Sequence, residues 1–244
     1  MAFLSNRKRL ILALDVDTRK RVEDLVDNLS EFMAMFKVGP RLFTKYGPPI
    51  IKSIQKRKGK VFYDAKFYDI PSVIEKAAQK VAEMQVDMLT LHTLGGSEMM
   101  EAAIKGAKKE NEKIKVIGVT ILTSLTSRII KEELGIEKKV NEEVIHLANL
   151  AKKAGLDGVV SSPWEVEDLR KLLGEDFFLV VPGIRALGGE KNEQKRVASP
   201  REAIVKGADF LVIGRPILAS SNPVEATKKI LKEIGGEKDE KCYC

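Results

Sequence analysis

Short apolar stretches recur along the chain at Leu10 to Leu14, Met35 to Val38, Lys60 to Tyr63, Met88 to Leu91, Lys115 to Ile121, Gly158 to Ser161, Phe178 to Val181 and Phe210 to Ile213. They are rich in β-branched residues and almost continuously hydrophobic, without the strict alternation of a strand that has one wet face. That pattern predicts eight strands buried on both faces, as in a parallel sheet. Between them the period becomes helical. Val22, Leu25, Val26 and Leu29 fall at i, i+3, i+4 and i+7, with Thr18 placed to cap the segment. Asn141 ahead of Val144, Leu147, Ala148 and Ala151, and Ser199 followed by Pro200, read as further helix starts. Gly155 and Gly207 read as stops, each followed within two residues by an aspartate and a strand, in Leu156-Asp157-Gly158 and Ala208-Asp209-Phe210.

Parallel strands must be joined by right-handed crossovers and covered on both faces, so strand and helix alternating eight times close most economically into an α/β barrel. We therefore expect a (β/α)8 TIM barrel, a single domain over residues 1–235, followed by a charged, disordered tail at 236–244. An open doubly wound sheet is the alternative. Against it, the first strand leads into Asp15-Val16-Asp17-Thr18 and not into a glycine-rich dinucleotide turn.

Composition narrows the function classes. No run of about 18 apolar residues is present, which argues against a membrane span. Arg7, Lys8 and Arg9 precede an apolar stretch that is short and soon carries Asp15 and Asp17, so no secretion signal is expected and the location is predicted to be cytoplasmic. The two cysteines, Cys242 and Cys244, lie in the last three of 244 residues and cannot staple a core. A net charge of +7 favours an anionic partner. Lysines are interleaved with acids, as in Lys108-Lys109-Glu110, and aromatics make up only 6%, so no nucleic-acid surface is expected and a small phosphorylated molecule fits better. The two histidines, His92 and His146, are far apart and are given structural roles; no metal site and no cofactor are expected.

In a barrel of this kind, reacting groups project from the carboxyl ends of the strands. Charges cluster there. Asp15 ends strand 1, Lys37 lies on strand 2, and strand 3 runs into Asp64-Ala65-Lys66-Phe67-Tyr68-Asp69-Ile70-Pro71. On an extended segment Asp64 and Lys66, two apart, point to one face. An ion-pair network that merely ties the barrel top together would use the same residues. Charges of alternating sign inside a cavity cost desolvation, however, and suit chemistry that makes a carbanion: an ammonium held by carboxylates can stabilise negative charge and then deliver a proton to it. After strands 7 and 8 come Pro182-Gly183-Ile184-Arg185 and Ile213-Gly214-Arg215-Pro216, glycine turns with arginines in the loops where this fold seats phosphate. The intervening Ala186 to Val197, with Gly188, Gly189 and Gln194, reads as a closing lid.

These motifs together resemble the orotidine 5′-phosphate decarboxylase family over Leu10 to about Ile234. The resemblance rests on Asp64-x-Lys66-x-x-Asp69-Ile70-Pro71, in order with Leu12-Ala13-Leu14-Asp15, Phe36-Lys37-Val38-Gly39, Pro182-Gly183-Ile184-Arg185 and Ile213-Gly214-Arg215-Pro216. It implies cofactor-independent decarboxylation of orotidine 5′-phosphate to uridine 5′-phosphate (UMP), the last step of de novo pyrimidine biosynthesis. Lys66 would protonate C6, with Lys37, Asp64 and Asp69 completing the array. Asp69 would reach the neighbouring subunit's site, which implies a homodimer. Asp15 and Lys37 would hold the ribose, Thr123 or Thr126 the pyrimidine, and Gln194, Gly214 and Arg215 the phosphate; Arg185 would belong to the closing loop, and Ile70, Val73 and Pro182 complete the substrate-binding set. One departure stands out: the family commonly has Asn-Thr after Asp-Ile-Pro, where this chain has Ser72-Val73, and a donating backbone at that turn is expected to stand in for the missing hydroxyl. The rival readings are a magnesium-dependent hexulose-phosphate synthase of the same superfamily and a noncatalytic phosphate- or nucleic-acid-binding protein.

Overall fold

In the computed structural model, which describes residues 9–184 and 198–235, eight parallel strands close a barrel in sequence order. They are β1 (Leu10–Ala13), β2 (Met35–Val38), β3 (Val61–Phe67), β4 (Met88–His92), β5 (Lys115–Val119), β6 (Gly158–Val160), β7 (Phe178–Val181) and β8 (Phe210–Ile213). Closure is made by β8 against β1, with Leu211 opposite Leu10 and Ile213 opposite Leu12. The helices are α1 (Arg19–Leu29), α2 (Pro40–Tyr46), α3 (Pro48–Lys56), α4 (Pro71–Glu83), α5 (Gly96–Glu110), α6 (Ser127–Glu132), α7 (Val140–Lys153), α8 (Val166–Leu173), α9 (Pro200–Val205), α10 (Arg215–Leu218) and α11 (Pro223–Gly235). Among the described residues, no helix is long and apolar enough to cross a membrane. The tail expected at 236–244 lies outside the described residues.

The continuous hydrophobicity of the strands has the predicted cause: each strand buries both faces. One set of side chains, Ile11, Met35, Phe62, Met88, Ile117, Val180 and Phe210, with Val160 packed against it, fills the inside. The alternate set packs outward against the helices, where Val22, Leu25, Val26 and Leu29 of α1 are all buried as their spacing predicts. Thr18 caps α1 by accepting the Arg21 N–H, and Ser199 with Glu202 forms a reciprocal cap on α9. Asn141 does not start α7. The helix begins one residue earlier, Glu142 accepts the Lys139 N–H, and the Asn141 side chain is released to reach Asp168 on α8.

At the amino end of the barrel the repeated helix-to-strand turn is real and has a third member. Asp87, Asp157 and Asp209 each accept the N–H of a residue at the start of the preceding strand, Val61, Val116 and Leu179 respectively, at 2.8 to 2.9 Å. Two residues before each aspartate the chain turns left-handed, at Gln85, Gly155 and Gly207. The third copy escaped the sequence pattern because a glutamine, not a glycine, takes that conformation.

Candidate active site

The barrel's inner alternation leads directly to the site. Met35, Phe62 and Met88 form part of the apolar floor, and one pleat further along the same strands stand Lys37, Asp64 and Thr90. Asp64 is 6% exposed and fully engaged. Its Oδ2 receives both ammonium groups, Lys66 Nζ at 2.6 Å and Lys37 Nζ at 3.1 Å, while its Oδ1 accepts the Thr90 hydroxyl at 2.9 Å. Burial alone would raise the Asp64 carboxyl, but Lys37 and Lys66 outweigh it and hold the group below its ordinary value of 3.8. The result is a carboxylate that stays ionised and fixes two cations at the barrel mouth.

The route by which Lys66 reaches Asp64 differs from the simple extended segment read from the sequence. β3 continues through Asp64 to Phe67, but Lys66 has a left-handed φ of 50°, and the register with β4 slips between Tyr63 and Phe67. Tyr63 pairs with Leu89 and Phe67 with Leu91, so four steps on β3 span two on β4. This bulge turns the Lys66 N–H onto Thr90 Oγ1 at 3.0 Å. A non-glycine residue in this region carries backbone strain that persists only where its surroundings hold it, and Thr90 is the clamp, bonded at once to the Lys66 backbone and to the Asp64 carboxylate.

The remaining candidate residues separate into groups. Asp15 and Arg215 line one cavity of about 400 Å³ at the ends of β1 and β8. Gly214 caps α10 between them, and a side chain there would stand 3.4 Å from the Ala13 Cβ and 3.7 Å from the Asp15 carboxylate. Gly39 plays the same part beside Lys37, with 3.6 Å to its Nζ. Pro182 follows β7, and Gly183 turns left-handed after it. Thr126 spends its hydroxyl oxygen on the Ile129 N–H as the cap of α6. Val73 is exposed, and its N–H turns back to the Ile70 carbonyl, so that amide does not stand open to a ligand. Arg185 and Gln194 lie outside the described residues.

Asp69 does not join the cluster within its own chain. It is exposed, accepts the Ile70 N–H at 2.7 Å, and sits among exposed apolar side chains at Tyr68, Ile70 and Val73, with Leu94 also exposed after β4. Sequence reasoning missed Thr90, which no motif marks and which only the pairing of β3 with β4 brings to the carboxylate.

A closed parallel barrel with a buried carboxylate held between two lysines at its carboxyl mouth defines a (β/α)8 barrel that carries fixed, opposed charges at the end where reacting groups of this fold project. The sequence pattern of the Orotidine 5'-phosphate decarboxylase / HUMPS family matches residues 8–230. The chain is 47% identical over 231 residues to the orotidine 5'-phosphate decarboxylase of Geotalea daltonii, covering 93% of this chain and 96% of that one. It is 44% identical to the same-named protein of Trichlorobacter lovleyi over 93% and 95% of the two chains. Among solved structures it resembles orotidine 5'-phosphate decarboxylase from Lactobacillus acidophilus, with a TM-score of 0.84 at 33% identity over 93% of this chain and 99% of that one. The corresponding protein from Pyrococcus horikoshii gives a TM-score of 0.74 at 26% identity, again over 93% and 99%. The chain belongs to the orotidine 5'-phosphate decarboxylase / HUMPS family.

Proposed function

We propose that this enzyme decarboxylates orotidine 5'-phosphate to UMP, the closing step of pyrimidine nucleotide synthesis, with Lys66 as the proton donor. The observation that carries this reading is the shared Asp64 oxygen, which holds Lys66 and Lys37 side by side. In the reaction the bond from C6 to the carboxylate breaks, CO2 leaves, and the electron pair stays on C6 in the plane of the ring. That carbanion has no electron sink, so its stabilisation must come from charge already in place. The Lys66 ammonium supplies it and then passes a proton to C6; the amine left behind regains a proton from solvent. Lys37 stays on Asp64, so the carboxylate remains neutralised when Lys66 turns to the ring.

Substrate is held along the rest of the mouth. Asp15 and Lys37 take the ribose, Gly214, Arg215 and Gln194 the phosphate, and Thr123 or Thr126 the pyrimidine; the Thr126 oxygen caps its helix but keeps its proton to donate. Pro182, Ile70 and Val73 complete the substrate-binding set, and Arg185 belongs to the closing loop. Phosphate binding far from C6 contributes energy that is realised at the transition state. Asp69 completes the site of a second protomer, which accounts for its outward position and for the apolar side chains around it. The magnesium-dependent synthase reading fits less well, because an Asp64 already shared by two ammonium groups has little to offer a third cation.

The test follows the loss of substrate absorbance with the native chain and with Lys66→Ala, in excess chelator. The native enzyme is expected to turn over undiminished, and the variant to lose on the order of 10⁴-fold or more in kcat while still binding UMP. Equal rates would remove Lys66 from its role, and a native chain that does not turn the substrate over at all would reopen the synthase reading. Mixing inactive Lys66→Ala with inactive Asp69→Ala tests the shared site: half the reassorted dimers carry one intact site, returning about a quarter of the native activity.

A further inference from the structure

His92 ends β4 on the inner face, one pleat above Thr90, and no step of the proposed decarboxylation uses it. Its Nδ1 is buried and has no hydrogen-bond partner among the described residues. Buried polar atoms are ordinarily paired, so an unpaired one beside a reaction centre calls for a partner that arrives during turnover. The bulge of β3 locates that partner. With Phe67 opposite Leu91, Lys66 lies level with Thr90, to which its N–H is bonded, and Tyr68 lies level with His92, its ring 6.0 Å away. Two residues of strand rise about 6.6 Å, a distance the four-carbon arm of Lys66 can cover.

We propose that His92 is a positioning residue for Lys66: its unprotonated Nδ1 accepts the ammonium as it leaves Asp64 and directs it at the reacting carbon. The inference rests on Lys66 being the proton donor. Asp64 permits the move, because Lys37 and Thr90 remain bonded to it. A neutral ring is required. Burial holds the His92 imidazole below its ordinary value of 6.5, Lys66 adds to that, and Asp64 opposes it more weakly. The charged groups acting on it thus both come from β3, where Tyr68 is the other titratable neighbour; on β5 the residue paired with His92 is the apolar Val119, and the strand's one lysine, Lys115, is at the far end. This reading replaces the purely structural role expected from the sequence.

Three proteins test it: the native enzyme, His92→Leu and His92→Asn, whose amide oxygen falls close to the place of Nδ1. His92→Leu is expected to lower kcat about tenfold or more with KM changed less than about threefold and UMP affinity retained. His92→Asn should recover most of that loss. The native kcat should fall as pH drops through a value below 6.5, where the ring gains a proton and ceases to accept, and this limb should be missing from both variants. Substrate phosphate ionises nearby in pH but equally in all three, so comparison cancels it. An unchanged kcat in His92→Leu, or an acid limb that survives in both variants, overturns the proposal. So does a His92→Asn that recovers no rate, with both variants melting lower, because that pattern marks a packing role. If Lys66→Ala is itself fully active, the underlying reading of Lys66 fails instead, whatever the His92 variants do.

Discussion

Replacing Asp64 by asparagine keeps the shape and an oxygen to accept the Thr90 hydroxyl, but removes one charge and the oxygen on which both ammonium groups rest. Both ammonium nitrogens sit on the same carboxylate oxygen, at 2.6 and 3.1 Å, so they are at most about 5.7 Å apart, the total of those distances. With an effective dielectric of about 20, two unit charges at that separation repel by about 3 kcal/mol. Stripping a buried ion cluster of its counter-charge costs about 3–5 kcal/mol in general. Lys66 is about one-third exposed, and water screens part of this. We expect Asp64→Asn to lose about 2–4 kcal/mol of unfolding free energy at pH 7. The assay is urea denaturation at one fixed protein concentration, since oligomerisation shifts apparent stability. The pH dependence has a definite sign. The folded Asp64 carboxyl lies below its ordinary 3.8, so its contribution is complete above that value and is lost only as pH falls through the lower folded one. The gap between variant and native protein should therefore be the same at pH 5 as at pH 7. A gap below about 0.5 kcal/mol at pH 7, or one that shrinks clearly between pH 7 and pH 5, would refute the electrostatic account of the cluster.

Thr90→Val keeps the shape but leaves the Asp64 carboxylate and the Lys66 N–H each short of a partner; stability should fall by about 1–3 kcal/mol, and kcat should fall more than KM rises. Gly106→Ala would place a Cβ 2.0 Å from the Glu75 carbonyl oxygen, where α5 crosses α4, so thermal unfolding should show a loss of about 2 kcal/mol or more despite the better helix propensity of alanine, with kcat at 25 °C unaltered. Asp87→Asn should be neutral or stabilising at pH 7: burial raises the Asp87 carboxyl above its ordinary 3.8, so the native charge is disfavoured as pH climbs, and an amide oxygen can keep the bond from Val61. Denaturation of both proteins across pH 4 to 7 checks this, and a variant clearly weaker at pH 7 than at pH 4 would contradict it.

The amino-acid sequence by itself determined the eight strands, the buried stripe of α1, the caps at Thr18 and Ser199, and the order of charged motifs at the strand ends. These are local or periodic properties: a parallel strand between two helical layers must be apolar on both faces, and a carboxylate in a Phe-Tyr-Asp-Ala-Lys run is visible without knowing its neighbours. Strand ends were less legible, as in β5, which stops at Val119 and not at Ile121, because hydrophobicity continues after pairing has ended. Tertiary structure alone decided how the charges are used. The slip between β3 and β4 that bends Lys66 into a left-handed conformation, the clamp supplied by Thr90, the outward turn of Asp69 and the unpaired His92 nitrogen all arise from pairings between segments about 25 residues apart. An alternation of two along one strand carries no record of its register with the next, so the charged residues at the strand ends could be named from the chain, while their geometry and the place of Thr90 among them could not.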